Sequence, residues 1–211
     1  MTIREIELGD LPRREIYALL TQLVVPRPIA WISSVGSDGT RNIAPHSYFN
    51  IVSDTPPVVH FTSSGEKDTL RNVRSSGEFV VNVVSRELVE AMNLTAADFP
   101  PGEDEFAWAG LEASPSKVVS VPRVAGARAV LECRVHSELT IGNGTMVFGQ
   151  VVHMATDEDL WVEGKVAPER LAAVGRLGGS GYAPTDRPFW LQRPRWADVR
   201  ANGAIPDVPL A

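Results

Sequence analysis

Two short segments of the chain carry side chains that could together bind a phosphate group. The first is strand-like, covers residues 42–50 and includes the hydroxyl of Ser47. The second opens a predicted helix with Lys67, Asp68 and Thr69. A helix start offers free backbone N–H groups and the positive end of the helix dipole, and Lys67 adds a full charge. Because the hydroxyls of Ser47 and Thr69 can donate further hydrogen bonds, the pair of segments predicts a site for a phosphate-bearing ligand.

Each segment taken alone also has a plainer structural interpretation. Lys67 to Thr69 could be ordinary helix capping, with Asp68 near the positive end of the dipole. Residues 42–50 could be an edge strand with a bulge at Pro45. The occurrence of both segments in one chain favours ligand binding over either interpretation.

The sequence offers little support for other kinds of catalytic or metal site. The four histidines stand singly, without the spacing that is typical of metal ligands. No Gly-x-Ser-x-Gly elbow of a serine hydrolase occurs. Gly142-Asn143-Gly144 lacks the further glycine of a dinucleotide-binding fingerprint. We therefore expect no metal site and no catalytic side chain of these types.

Composition sets the broad class of the protein. A chain of 211 residues suits one domain with a sizeable core, and 44% hydrophobic and 22% charged residues are ordinary for a globular protein. The net charge of −6 argues against a general nucleic-acid binder. The single cysteine, Cys133, excludes an internal disulfide and is expected to be a buried thiol. Because neither a signal sequence nor a long apolar run is visible, we expect a cytoplasmic protein that does not enter a membrane.

Strands and turns dominate the predicted secondary structure, which is mainly β with short helices (α+β). The predicted strands are 29–35, 41–52, 58–62, 78–84, 127–141 and 145–157. The predicted helices are 11–23, 67–74, 86–96 and 168–174. The last two strands form the clearest hairpin, and their length favours a barrel, in which closure removes exposed edges. We expect a single domain over residues 1–195 and an extended tail over residues 196–211.

In order and spacing, the segments resemble the flavin reductase-like family, whose members have an FMN-binding split barrel. The residues that carry the resemblance are Arg27–Ser34, Gly39, Asn42–Phe49, Pro56-Pro57, Lys67–Val73 and Glu78–Asn82. The later stretch Arg176–Tyr182 is similar to the family's Gly-Gly-x-x-Tyr region near the flavin edge. The resemblance covers roughly residues 22–195, and the chain looks closest to the flavoredoxin-type branch.

The resemblance implies FMN held without a covalent bond at a homodimer interface. The implied cofactor-binding residues are Ser33, Ser47, Tyr48, Phe49, Asn50, Lys67, Asp68, Thr69 and Tyr182. Lys67 and Thr69 would contact the phosphate, while Ser47, Phe49 and Asn50 would follow the ribityl chain and phosphate.

The contacts with the flavin ring are less specified by the resemblance. One alternating set of first-strand residues would face the isoalloxazine, either Ala30 with Ile32 or Trp31 with Ser33. Asp68 would be a helix cap or would contact the ribityl chain. The Tyr182 side chain would act as a lid.

The implied activity is that of an NAD(P)H-dependent flavin reductase, in which NADH or NADPH gives a hydride to flavin N5. The flavin performs the difficult chemistry, so the hydride step needs no side-chain acid or base. Reduced flavin would then serve a partner monooxygenase or another redox protein. Two alternatives remain open: a flavoredoxin-like FMN electron carrier without its own nicotinamide site, and a protein whose bound FMN is structural.

Overall fold

A computed structural model describes residues 2–202 of the chain. Its α-helices are α1 Arg13–Leu23, α2 Asp68–Ser76, α3 Val89–Leu94, α4 Glu105–Trp108, α5 Pro168–Leu171 and α6 Trp196–Asn202. Its strands are β1 Arg27–Pro28, β2 Ala30–Val35, β3 Arg41–His46, β4 Phe49–Asp54, β5 Pro57–Ser64, β6 Glu78–Val83, β7 Ala113–Ser114, β8 Arg123–Val124, β9 Ala129–Ile141, β10 Gly144–Thr156, β11 Trp161–Val162, β12 Lys165–Val166, β13 Val174–Arg176 and β14 Tyr182–Pro184. The mainly β fold class is confirmed.

The main sheet is antiparallel and has the strand order β3-β2-β6-β9-β10-β5-β4. β3 and β4 lie at opposite ends of this order, although only Ser47 and Tyr48 separate them in the sequence. The sheet therefore curls until its two ends meet at this corner, and the strand predicted over 41–52 is divided there. Across the corner the Thr62 N–H donates to the Tyr48 carbonyl, and the His46 ring donates through Nδ1 to the Thr62 carbonyl at 3.3 Å.

The apolar side chains of β2, β5, β6, β9 and β10 fill the interior of this curled sheet. Leu70 and Val73 of α2 join them, and their spacing places both on the helix face that packs against the interior. α2 is followed by Gly77, whose φ of 70° is the left-handed conformation that ends a helix. A second apolar cluster, which includes Trp31 and Phe106, lies beneath α3 and α4. The packing of α2 against the interior thus fixes where its first turn lies.

Several predicted elements are shorter or differently shaped in the structure. The helix predicted over 86–96 begins as a 3-10 turn and continues as α3. The helix predicted over 168–174 ends at Leu171, because Ala172 adopts a left-handed φ of 46°. The tail was expected to be extended from residue 196, but its first residues form α6, and residues 203–211 lie outside the described residues. Within residues 2–202 no helix is long and apolar enough to cross a membrane.

Glu132 of β9 fastens the loop that covers one face of the sheet. Its side chain is fully buried and accepts hydrogen bonds from the N–H groups of Lys117, Val118 and Val119 at 2.8, 2.6 and 3.2 Å. Burial acts to raise the pKa of Glu132, but these three bonds outweigh it and hold the pKa below its usual value. The carboxylate therefore stabilises the fold above the usual carboxyl pKa, and this contribution is lost as pH falls through the lowered pKa.

We expect the Glu132→Gln variant to lose about 2 kcal/mol of unfolding free energy at neutral pH. The reason is that the new amide nitrogen cannot accept the hydrogen bonds that backbone N–H groups donate to the carboxylate. Urea denaturation measures the loss. Glu138→Gln on the same strand is the matched control, since Glu138 pairs with Arg74 at the surface and should cost less than about 1 kcal/mol. Equal losses in the two variants would contradict the structural role of Glu132.

Candidate functional site

A cavity of about 450 Å³ opens at the corner where the two ends of the main sheet meet. Its walls come from β3, from the corner residues, from β5, from the first turn of α2 and from the loop at residues 95–101. Its volume falls within the range of about 300–1,000 Å³ that is common for small-molecule sites. Five of the predicted cofactor-binding residues line it: Ser47, Tyr48, Lys67, Asp68 and Thr69. Segments that are distant in sequence thus meet in one cavity.

β2 does not supply residues to this cavity, because both of its faces are buried. Ala30 and Ile32 point into the main apolar cluster, and Trp31 belongs to the cluster beneath α3 and α4. Ser33 is fully buried, and its hydroxyl donates to the Pro122 carbonyl at 2.7 Å. Neither of the two alternating sets proposed for the flavin ring therefore lines the cavity within the described residues.

Three further predicted residues also lie away from the cavity walls. Phe49 packs against the main apolar cluster, and Asn50 is exposed on β4. The Tyr182 hydroxyl donates to the Asn93 amide oxygen at 2.9 Å, and the guanidinium of Arg176 lies 4.5 Å from the centre of the Tyr182 ring. Tyr182 is thus partly buried beside the second apolar cluster and does not line the cavity.

The first turn of α2 presents backbone N–H groups that no side chain caps. Lys67 occupies the N-cap position and its side chain forms no capping hydrogen bond. Asp68 is the first helical residue and forms an ion pair with Arg71, one turn later. The Lys67 side chain is 63% exposed, and its ammonium lies 3.7 Å from a carboxylate oxygen of Asp98. The helix start therefore keeps both the N–H groups and the positive charge that an anion requires.

A buried network decides how Thr69 can bond. The Glu105 carboxylate can only accept, so it fixes the Asn42 amide with Nδ2 facing Glu105 at 2.7 Å. The Asn42 oxygen then accepts from the hydroxyls of Thr69 at 2.9 Å and Ser34 at 3.0 Å. Because Thr69 gives its proton to Asn42, its hydroxyl can accept from a ligand but does not donate to it. In this arrangement the Thr69 hydroxyl offers the cavity a lone pair rather than its proton.

Glu105 lines the cavity but was not predicted from the sequence, and Asn42 was predicted only as the first residue of the segment 42–50. They lie 63 positions apart and meet only because α4 packs on β3. Burial raises the pKa of Glu105, while the hydrogen bonds from Asn42 and from the N–H of Ile43 oppose that rise. No signal in the sequence pairs these residues, because the pairing depends on the tertiary position of a four-residue helix.

Ser47 has the opposite hydrogen-bonding role to Thr69. Its oxygen accepts a hydrogen bond from Nε of Arg27 at 3.3 Å, so its own proton remains free to donate into the cavity. Tyr48, beside Ser47, is partly exposed. Partial burial raises the pKa of its phenol, and the nearby Tyr17 raises it further. Of the Ser47 and Thr69 hydroxyls, the first can therefore donate into the cavity and the second can only accept.

His46 lines the same cavity in its neutral form. Burial lowers its pKa to about 4, with the Lys67 charge acting in the same direction and the bond to Thr62 opposing it. Its ring packs at 4.8 Å, centre to centre, against Phe61 in the main apolar cluster. Within residues 2–202 no group of three or more potential metal ligands occurs.

The comparisons with known proteins identify the family. The model of the flavin reductase like domain matches residues 22–168. A relative from Halalkalibacterium halodurans, the uncharacterized protein BH2278, is 39% identical over 196 residues, which cover 88% of this chain and 94% of that protein. The residues that the family model matches include the strands, the corner and the α2 segment that surround the cavity.

Solved structures agree in fold with this chain. Nitrilotriacetate monooxygenase component B from Bacillus cereus is 35% identical with a TM-score of 0.87, covering 90% of this chain and 100% of that one. Pseudomonas fluorescens 2-nitrobenzoate 2-nitroreductase NbaA is 34% identical with a TM-score of 0.85, covering 92% and 98%. Flavoredoxin of Desulfovibrio vulgaris is 20% identical with a TM-score of 0.74, covering 82% of this chain and 93% of that one, and this likeness shows the fold alone. The chain belongs to the flavin reductase-like family and has the split β-barrel fold of that family.

Proposed function

We propose that the protein binds FMN in the corner cavity and acts as an NAD(P)H-dependent flavin reductase. The observation that carries this proposal is the uncapped first turn of α2, which opens into the cavity beside Lys67 and the free proton of Ser47. These groups form an anion site next to a volume large enough for a small molecule. Membership of the flavin reductase-like family supports a flavin as that molecule.

The residues of the cavity fit a phosphorylated polyol such as the ribityl phosphate of FMN. Lys67, the first-turn N–H groups and Ser47 would bind the phosphate as donors, while the Thr69 hydroxyl would accept from a ribityl hydroxyl. Asp68 is neutralised by Arg71 and so opposes the phosphate less. Bound FMN would supply N5, which accepts a hydride from NADH or NADPH. The chain would bind and orient it, without a side-chain acid or base.

Two similar proteins support different destinations for the electrons. Component B of nitrilotriacetate monooxygenase supports the delivery of reduced flavin to a partner monooxygenase, which we favour. The likeness to a 2-nitroreductase supports the direct reduction of a nitroaromatic compound as a second candidate. A flavoredoxin-like carrier that receives electrons from another protein remains the alternative if neither nicotinamide cofactor reacts.

Anaerobic stopped-flow reduction of the FMN-loaded protein by NADH and by NADPH tests the proposal. We expect at least one of them to bleach the flavin absorbance in a concentration-dependent way. If both fail while dithionite bleaches the same sample, the carrier function replaces the reductase function. If the protein holds no FMN at micromolar concentration, the cavity is not a flavin site.

We also propose that the native protein is a homodimer. Leu20 and Leu23 are exposed on α1, Val24 is exposed just after it, and Ile51 and Val52 are exposed on β4. α1 also supplies Tyr17 to the cavity wall, so the exposed apolar side chains of α1 lie beside the proposed flavin site. Their burial against a second copy would remove an apolar surface from water and cover the site.

We expect light scattering to give twice the mass of one chain, and the double variant Leu20→Glu with Leu23→Glu to give one chain mass and weaker FMN binding. Met154→Glu, which changes an exposed apolar residue on β10, is the control and should remain dimeric. A wild-type protein that is monomeric with FMN bound would contradict the proposal.

A further inference from the structure

Arg27 of β1 is a buried cation whose hydrogen-bond partners are all uncharged. Only 7% of its surface is exposed, and within residues 2–202 it forms no ion pair. Its guanidinium donates to the carbonyls of Thr21, Val24 and Leu177 at 2.6, 2.9 and 3.1 Å. Its Nε donates to the Ser47 hydroxyl at 3.3 Å. Each partner is a dipole, and none carries a full negative charge.

Such a charge is costly to bury unless nearby groups compensate it. Thr21 and Val24 lie at the C-terminal end of α1, where the negative end of the helix dipole gives partial compensation of about half a charge. The remaining positive potential extends to the cavity wall, since Arg27 acts to lower the pKa of Tyr48 against the raising effects of burial and Tyr17. A ligand anion at Ser47 would complete the compensation.

We infer that Arg27 is a positioning residue for the anionic end of the ligand and acts through Ser47. Its Nε–H occupies a lone pair of the Ser47 oxygen, which leaves the Ser47 proton to be donated to a phosphate oxygen in the cavity. Its charge adds to that of Lys67, so the cavity favours a phosphate monoester over the corresponding alcohol. This inference rests on the proposed function, because the phosphate is that of the proposed FMN.

The same side chain connects the glycine-rich segment at residues 178–181 to the site. The Leu177 carbonyl, just before that segment, accepts from Nη2 of Arg27, while Nε of Arg27 holds Ser47. The segment itself does not line the cavity within the described residues. Arg27 therefore gives this segment a route by which it influences the site without touching the ligand.

A purely structural role for Arg27, which ties the end of α1 to the Leu177 carbonyl just after β13, makes a different prediction. Loss of that contact would lower the melting temperature and would weaken the binding of FMN and of riboflavin by the same factor. Loss of the positioning role changes the ratio of the two affinities, because only FMN carries the phosphate. The affinity ratio therefore separates the two roles.

The experiment measures FMN and riboflavin affinities by fluorescence titration, together with melting curves. The variants are Arg27→Met, Arg27→Lys, Ser47→Ala, Arg27→Met with Ser47→Ala, and Arg134→Met as a control that removes an exposed arginine on β9. We expect Ser47→Ala and Arg27→Met each to lower the FMN-to-riboflavin affinity ratio about tenfold, the size of a lost hydrogen bond to a charged group. The double variant should lose less than the product of the two single losses, because the residues act in series.

Arg27→Lys keeps the charge but not the forked geometry, so it should fold and lower the ratio several-fold. It decides the question if Arg27→Met does not fold. An unchanged ratio in Arg27→Lys and in any folded Arg27→Met, with wild-type protein that prefers FMN, would overturn the inference and leave the proposed function standing. Wild-type protein that binds FMN and riboflavin equally would instead show that the proposed phosphate site is absent, and the inference would fail with it.

Discussion

Replacing Lys67 with alanine is expected to weaken FMN binding about 10- to 100-fold and to leave riboflavin binding nearly unchanged. The Lys67 ammonium stands at the uncapped start of α2, where its charge and the first-turn N–H groups act on the same anion. A hydrogen bond to a charged group contributes about 1.5–3 kcal/mol, which corresponds to this range of affinity. Fluorescence titration of both flavins against the wild type and the variant measures the effect.

Lys165→Ala is the control for the loss of a lysine, because Lys165 is exposed on β12 and does not line the cavity. It should bind FMN as the wild type does. Added salt should narrow the difference between Lys67→Ala and the wild type, since the Lys67 side chain is largely exposed and its charge is screened. An equal loss for FMN and riboflavin in Lys67→Ala would show that the phosphate does not lie at the start of α2.

Acidification from pH 6.5 to pH 4 is expected to lower the unfolding free energy by about 3 kcal/mol through His46 alone. In the folded protein burial lowers the pKa of His46 from its ordinary value of 6.5 to about 4, so the folded state resists protonation over this window while the unfolded state takes up a proton. The stabilisation is complete above pH 6.5, declines as pH falls, and is exhausted near pH 4. Each unit of pKa difference corresponds to about 1.4 kcal/mol.

Urea denaturation at several pH values tests this prediction by the difference between variants, because carboxylates such as Glu132 add their own acid dependence. His46→Phe keeps an aromatic ring against Phe61 and removes the titration, so its stability should fall less steeply between pH 6.5 and 4. His136→Phe, at an exposed position on β9, should keep the wild-type slope. Parallel curves for His46→Phe and the wild type would refute the assignment to His46.

Local patterns in the sequence were enough to predict the mainly β class and the helix that opens at Lys67, and the resemblance of several segments in order predicted the family. The hairpin of β9 and β10 was equally visible, because alternation along two strands and a glycine turn are features of neighbouring residues. The grouping of Ser47, Tyr48, Lys67, Asp68 and Thr69 in one cavity agrees with the resemblance, which had placed them around a single cofactor.

Other parts of the site depended on contacts that no sequence pattern encodes. The resemblance implied that Ser33 binds the cofactor, but packing on both faces of β2 buries it. The division of the strand over 41–52 follows from the meeting of two sheet ends, each built from strands distant in sequence. Phe49 and Asn50 were separated from the cavity by this corner.

The amino-acid sequence by itself determined which donors, acceptors and charges the site contains, and that they belong to a split barrel of this family. Only the tertiary structure decided how they act: Thr69 gives its proton to Asn42, whose amide Glu105 orients, while Arg27 leaves the proton of Ser47 free. The physical reason is that a hydroxyl can donate or accept a hydrogen bond. Which of the two it does depends on neighbours that are close in the folded structure but distant in the sequence.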